Sequence, residues 1–247
     1  MMPVLGEPMI FRQIERVGRS KLISQLVVGT SETSNDDDVA SACRDRGVAC
    51  ERGSLSDVLD RFHSIAERYN PDHIVRLTGD CPLADAAVID GLIEFYLDGN
   101  YDYASNTILP TFPDGLDAEV FSYAVLQRAW SEARLPSERE HVTPFIKNND
   151  ELRRGNYSND QDYSYLRWTV DDARDFELVT RIYAALYPKN SCFGWHDVLD
   201  LIMTNPKLAA INADTPRDEG YARSLLGDAE AASAISAGGS GKSATES

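Results

Sequence analysis

Two aspartates stand out by where they fall. Asp80 follows the apolar run of residues 73–78 and Gly79, and Asp171 follows "YLRWTV". Both read as carboxylates placed just past a buried strand. Together they offer the hard oxygen ligands that Mg2+ takes at about 2.0–2.1 Å, with substrate phosphates and water completing its shell. That arrangement suits nucleotidyl transfer, in which the metal offsets charge on an α-phosphate while a sugar hydroxyl attacks in line and pyrophosphate leaves. The plain alternative for either residue is a loop acid with no chemistry.

The elements that must position these acids alternate. Met9, Ile10, Ile14 and Val17 fall at helical spacing over residues 8–20, and "QLVVGTS" is a short β-branched run between turn formers. "SNDDDVASACRDRG" reads as a helix capped by Ser34 or Asn35 and stopped at Gly47. Asp36, Asp37 and Asp38 lie where the helix dipole favours acids, which makes a helix N-terminus the better reading of that triplet than a metal site. "VACERG" is a strand, and "SLSDVLDRFHSIAERY" a helix opened by Ser54 with Asp57 three residues on, as in a capping box. After the strand over residues 73–78 comes the helical "DAAVIDGLIEFYLDG".

Strand and helix in alternation predict an α/β protein, a three-layer α/β/α sandwich with a mostly parallel, Rossmann-like sheet. Ligands in such folds bind outside the carboxyl ends of the strands, where Asp80 falls. The second half is less regular. "YDYASNT", "LDAEVFSY" and "YLRWTV" read as strands, and "SEREHVTPFIKNN" as a helix opening at Ser137. "DARDFELVTRIYAALY" and "WHDVLDLIMTNP" read as amphipathic helices. The expected domain covers residues 1–226. Residues 227–247, small, polar and glycine-rich, are expected to form a disordered tail.

Charge and cysteine usage narrow the partners. Forty acidic residues against 24 basic ones give a net charge of −16, which repels nucleic-acid phosphates and anionic membranes but leaves small phosphorylated substrates open, because a local cation can screen them. Cys43, Cys50, Cys81 and Cys192 have no metal-ligand spacing and read as reduced thiols. No apolar stretch approaches the roughly 20 residues of a membrane span, and "MMPVLGEPMI" lacks signal-peptide character, so a cytoplasmic location is expected.

Six motifs, "RGSLSDVLDRF", "IVRLTGDCPL", "YDYASNT", "PDGLDAEVFS", "REHVTPFI" and "LRWTVDDARDFELV", run in the order and approximate spacing of the cytidylyltransferase family. The chain resembles most the branch of spore-coat polysaccharide biosynthesis cytidylyltransferase-like proteins, related to the enzymes that attach CMP to acidic sugars such as 3-deoxy-manno-octulosonate and sialic acids. The resemblance spans about residues 3–187 and implies a nucleotide-diphospho-sugar transferase type of fold. The implied substrates are CTP and a small, acidic sugar; separately, an exposed strand or arm in the second half would make a homodimer unsurprising. It further implies that Asp80 and Asp171 are catalytic and hold Mg2+. Gly53, Ser54, Asp57 and Arg61 align with a segment bordering the nucleotide. Asn106, Asp114, Gly115, Arg139, Glu140 and His141 fall where the acceptor sugar would lie. Simple structural roles compete: Ser54 and Asp57 as helix caps, Gly115 as a turn, His141 as a helix residue. Function is favoured for Arg139 and Asn106, and capping for Ser54.

One departure matters. Family members open with a strand and a glycine- and arginine-containing loop that grips the triphosphate, whereas "MMPVLGEPMI" matches the segment just after that loop. The chain is therefore expected to lack both, to bind triphosphate poorly and to expose a neighbouring strand edge. Two other readings remain: a non-catalytic sugar- or partner-binding subunit, and a metal-dependent glycosyltransferase. The last is disfavoured because "TGDCPL" supplies only one acid of the DxD pattern such enzymes use.

Overall fold

The computed structural model describes residues 2–215 together with Arg217 and Asp228. A minimal hairpin, β1 (Pro3–Val4) and β2 (Glu7–Pro8), leads into helix α1 (Met9–Val17). Then come β3 (Val27–Ser31), α2 (Asp37–Asp45), β4 (Ala49–Gly53), α3 (Val58–Tyr69), β5 (His73–Arg76) and α4 (Ala86–Asp98). The second half holds β6 (Tyr103–Ser105), β7 (Glu119–Ser122), α5 (Tyr123–Glu132), α6 (Pro136–His141), α7 (Pro144–Lys147) and β8 (Arg154–Asn156). Helices α8 (Ala173–Leu186), α9 (Trp195–Thr204) and α10 (Pro206–Ala209) complete the described chain. The tail expected from Gly227 lies, apart from Asp228, outside the described residues.

The fold is α/β, but the longer strands form two sheets where one was expected. β3 and β4 pair in parallel. The other sheet has the order β5-β7-β6-β8, with β7 antiparallel to both neighbours and β6 parallel to β8, so β5, β6 and β8 share one direction and β7 alone is reversed. The reversal follows from the connection: residues 106–118 return as a loop without a crossover helix, which an antiparallel neighbour permits. β3 and β5 are not hydrogen-bonded to each other, and each keeps an open edge among the described strands. Helix α1 spans the division, with Ile10 and Ile14 packing beside Val28, and Val17 beside Val75 and Leu77.

Several local expectations shift. The helix expected from Ser54 begins at Val58, because Asp57 is its N-cap and accepts from Asp60 N at 2.9 Å, while Ser54 Oγ accepts from Asp57 N at 3.0 Å. Ser34 to Asp36 form a 3-10 turn ahead of α2, and Asp36 turns back to accept from Ser31 N at 2.9 Å. The single helix expected from Ser137 is two, broken at Val142, whose φ is +72°, and restarted at Pro144. The expected strand "YLRWTV" is not a ladder: its one bridge is Asp114 to Arg167, and its backbone is held by Trp168 N to Asp114 O at 2.6 Å and Val170 N to Asp80 O at 2.9 Å. The segment alternates because Leu166, Trp168 and Val170 enter the core built with α8 and α9, leaving Arg167, Thr169 and Asp171 on the other side. Burying one such large apolar side chain is worth about 1.5–3 kcal/mol, enough to fix an extended segment without strand partners.

Candidate active site

Arg76, Thr78 and Asp80 alternate out of β5 into one cavity of about 510 Å3, and Asp171 reaches it from the turn before α8. The two acids arrive together because their loops are stitched. Val170 N donates to Asp80 O at 2.9 Å, and Thr169 Oγ1 donates to the same carbonyl at 3.3 Å. From the other side, Gln13 of α1 donates its amide to Thr78 O at 2.7 Å. The Thr78 hydroxyl donates to Asp80 Oδ1, which also accepts from the Cys81 thiol at 3.3 Å. Burial, with Asp80 beside it, pushes the Cys81 thiol well above the usual cysteine range.

Asp171 is held by a charge cluster that sequence reasoning missed. Asp175, fully buried in the first turn of α8, accepts from Asp171 N at 3.0 Å and from Asn212 Nδ2 at 2.7 Å. Asp172 caps that helix by accepting from Arg174 N at 2.8 Å and Asp175 N at 2.9 Å. Arg167, 9% exposed, places Nε 3.1 Å from Asp175 Oδ1, Nη1 3.0 Å from Asp114 Oδ2 and Nη2 2.5 Å from Asp171 Oδ2. Burial works against both charges of the Arg167–Asp175 pair, yet the bonds to Asp175 and Asp171 raise the Arg167 pKa, and those from Arg167 and Asn212 lower that of Asp175. The available signal was the face shared by Arg167, Thr169 and Asp171 at a spacing of two.

The residues fit a hard divalent cation that brings its own substrate oxygens. Asp80 Oδ2 and Asp171 Oδ1 take no hydrogen bond from the described residues, whereas the other oxygen of each is bonded. No group of three or more His, Cys, Asp or Glu that could hold a metal occurs among the described residues. Two carboxylates with the remaining positions left to phosphate and water match the way Mg2+ is bound.

The other candidate residues divide. Asp114 and His141 line the cavity with Asp80 and Asp171. Gly115 is the turn beneath it: its φ is +104°, and a Cβ there would lie 2.6 Å from Thr169 N. Both ends of the buried Asn106 amide are engaged within the loop, with Leu116 O at 2.8 Å and Ala118 N at 2.9 Å. Arg139 pairs with Asp57 at 2.6 Å and donates to Trp130 O at 2.8 Å, tying α6 to α3. Glu140 stands 3.9 Å from His141 Nε2. Of the nucleotide group, Arg61 donates to Ser54 O at 2.8 Å and packs against Gly53, with Asp57 at the start of the same helix; none of the four borders the Asp80 cavity. Sequence reasoning also missed Arg76, Glu119 and Lys147, which do border it.

A cavity of an α/β fold lined by one carboxylate past the carboxyl end of β5 and a second at the entry to α8 suits nucleotidyl transfer. The family model described as cytidylyltransferase matches residues 1–203, and the chain belongs to that family. It is 35% identical over 213 residues to the uncharacterized protein MJ1063 of Methanocaldococcus jannaschii, a match covering 84% of each chain. It is 32% identical over 162 residues to the spore coat polysaccharide biosynthesis protein SpsF of Bacillus subtilis, covering 64% of this chain and 66% of that one. The solved structure of a cytidylyltransferase from Leptospira borgpetersenii superposes with a TM-score of 0.80 at 32% identity, over 84% of this chain and 88% of that one. No helix among the described residues is long and apolar enough to cross a membrane.

Proposed function

We propose that the protein transfers CMP from CTP to a sugar, with release of pyrophosphate, in polysaccharide biosynthesis. The observation that carries this reading is the backbone bond from Val170 N to Asp80 O, which delivers two carboxylates to one cavity at a strand end. In the reaction a sugar hydroxyl oxygen forms a bond to the α-phosphorus, the bond from that phosphorus to the bridging oxygen breaks, and pyrophosphate leaves. The hydroxyl proton passes to a carboxylate of the wall or to water. Mg2+ held by Asp80 and Asp171 would supply electrostatic stabilisation of the phosphate charge. Asp80 is kept in place by Thr78, and Asp171 by Arg167 and by Asp175 through its amide. Asp114 and His141 form part of the proposed sugar wall.

Support for a nucleotide flank at Gly53, Ser54, Asp57 and Arg61 comes from the Arg61 Nε, which is buried without a partner among the described residues, beside Gly29 of β3 and Gly53 of β4. Triphosphate binding at this cavity is proposed to be weak. Arg76, Lys147 and Arg167 of the cavity wall are each already bonded to a carboxylate, which lowers what they offer three phosphates. The experiment is a pyrophosphate-release assay with CTP, Mg2+ and a panel of sugars. Metal- and sugar-dependent release supports transfer; sugar binding without release would favour a non-catalytic binding role.

A further inference from the structure

The chain on either side of Asp171 is clamped by a residue outside the family match. That match ends at residue 203, and α10 then turns the chain back so that Ile211 packs against the core shared by α8 and α9. The next residue, Asn212, is 3% exposed and spends its amide on the site: Nδ2 donates to Arg167 O at 3.0 Å and to Asp175 Oδ1 at 2.7 Å. Residues 165–170 have one bridge and no ladder, so the first bond supplies backbone anchorage that a neighbouring strand would otherwise give. The second satisfies a fully buried carboxylate whose other oxygen accepts from Asp171 N at 3.0 Å. Arg167 and Asp175 lie four residues before and four residues after Asp171, so one side chain ties together both flanks of the candidate ligand. Asn212 is itself anchored. Its carbonyl accepts from Thr215 N at 3.1 Å, and Arg174 of α8 holds Asp214 at 2.6 Å and Thr215 Oγ1 at 2.9 Å. Arg217 then reaches Asp117 of the cavity wall at 2.6 Å.

We infer, on the reading of Asp80 and Asp171 as metal ligands, that Asn212 is a positioning residue for the metal site: it fixes where the Asp171 carboxylate stands by clamping Arg167 and Asp175. An amide suits the position because its two partners are both acceptors, and neither bond adds a buried charge. An aspartate there would set a second acid against Asp175. A leucine of similar size would leave a buried carbonyl and one carboxylate oxygen short of a donor. Asp80 is held separately, by Thr78 and Cys81, so loss of the Asn212 amide displaces one ligand and leaves the other in place.

The test is the affinity of the whole protein for Mn2+, without nucleotide or sugar, titrated by electron paramagnetic resonance of the free ion. Asp171→Asn is expected to weaken Mn2+ binding, and Asn212→Leu to weaken it about tenfold or more, the scale on which partners of metal ligands act. Leu126→Ala, which opens a cavity in the core beside α5, is expected to lower the melting temperature yet leave Mn2+ affinity within about twofold, which separates positioning from general destabilisation. In the Asp171→Asn background, Asn212→Leu is expected to cost no further affinity, because the two act through one carboxylate. Asn212→Leu binding Mn2+ like the parent overturns the inference, as does a loss that adds in full to that of Asp171→Asn or that Leu126→Ala reproduces. Should Asn212→Leu fail to fold, Asn212→Ser, which keeps a shorter donor, is judged by the same comparisons. Mn2+ binding that Asp171→Asn leaves unchanged, or no binding by the parent, sinks the ligand reading and this inference with it. Binding lost in Asp171→Asn and kept in Asn212→Leu sinks this inference alone.

Discussion

Arg167 joins Asp171 to Asp175: one guanidinium nitrogen bonds both carboxylates, at 2.5 and 3.0 Å, and Asp175 in turn accepts from the Asp171 amide. The side chain and backbone of the candidate metal ligand are therefore fixed by one buried ion pair, and Asp114 is attached to the same arginine.

Arg167→Lys should expose this dependence. Lysine keeps the charge but cannot hold three carboxylates in a planar fork. The expected outcome is a fall in kcat together with weaker sugar binding, since Asp114 is released with Asp171, measured by steady-state kinetics. Asp175→Asn should be harsher, lowering unfolding free energy by about 3–5 kcal/mol in urea titration, since it leaves a buried guanidinium undercompensated.

The Glu119 cluster makes a pH prediction. Burial disfavours its charge, but Lys147, Arg76 and Tyr103 outweigh this and hold the carboxyl well below the ordinary glutamate range. A folded pKa below the unfolded value of about 4.3 means that the contribution is complete above that value and is lost as pH falls toward the folded pKa. Urea melts across acid pH should show stability declining in that window. Glu119→Gln should be less stable at neutral pH and flatter through the acid range; a parallel curve for the variant contradicts the assignment.

Gly115→Ala tests the turn below the cavity. Its positive φ alone would impose about 1–3 kcal/mol on alanine, and the new Cβ would meet the backbone of Trp168 and Thr169 at 2.6 Å. Both the melting temperature and Asp171-dependent activity should fall, because the displaced backbone is the one that carries Asp171.

The elements that sequence reasoning placed well are those whose apolar period is complete, such as α4, where Val88, Ile89, Leu92, Ile93 and Tyr96 all bury. Residues 165–170 alternated equally well and yet form no ladder, since alternation reports which side is buried and not whether a neighbouring strand exists. Asp80 and Asp171 were legible because each follows an apolar run. Glu119 and Lys147 were not: a lone acid in "AEVFS" and a lysine closing a short helix look like surface residues until β5, β6 and the start of α7 bring Arg76, Tyr103 and Thr143 around Glu119 on β7. Arg139 and Asn106 carried motif residues into structural bonds, with Asp57 and with the 106–118 loop.

The most direct measurement is pyrophosphate released from CTP by the protein, with and without Asp80→Asn, at saturating Mg2+ and an acidic sugar that binds. The account predicts release that requires metal and sugar and falls about a hundredfold or more in Asp80→Asn while sugar affinity stays within about twofold, because the lost interaction acts on charge that develops during transfer. Release that is undiminished in Asp80→Asn would contradict it.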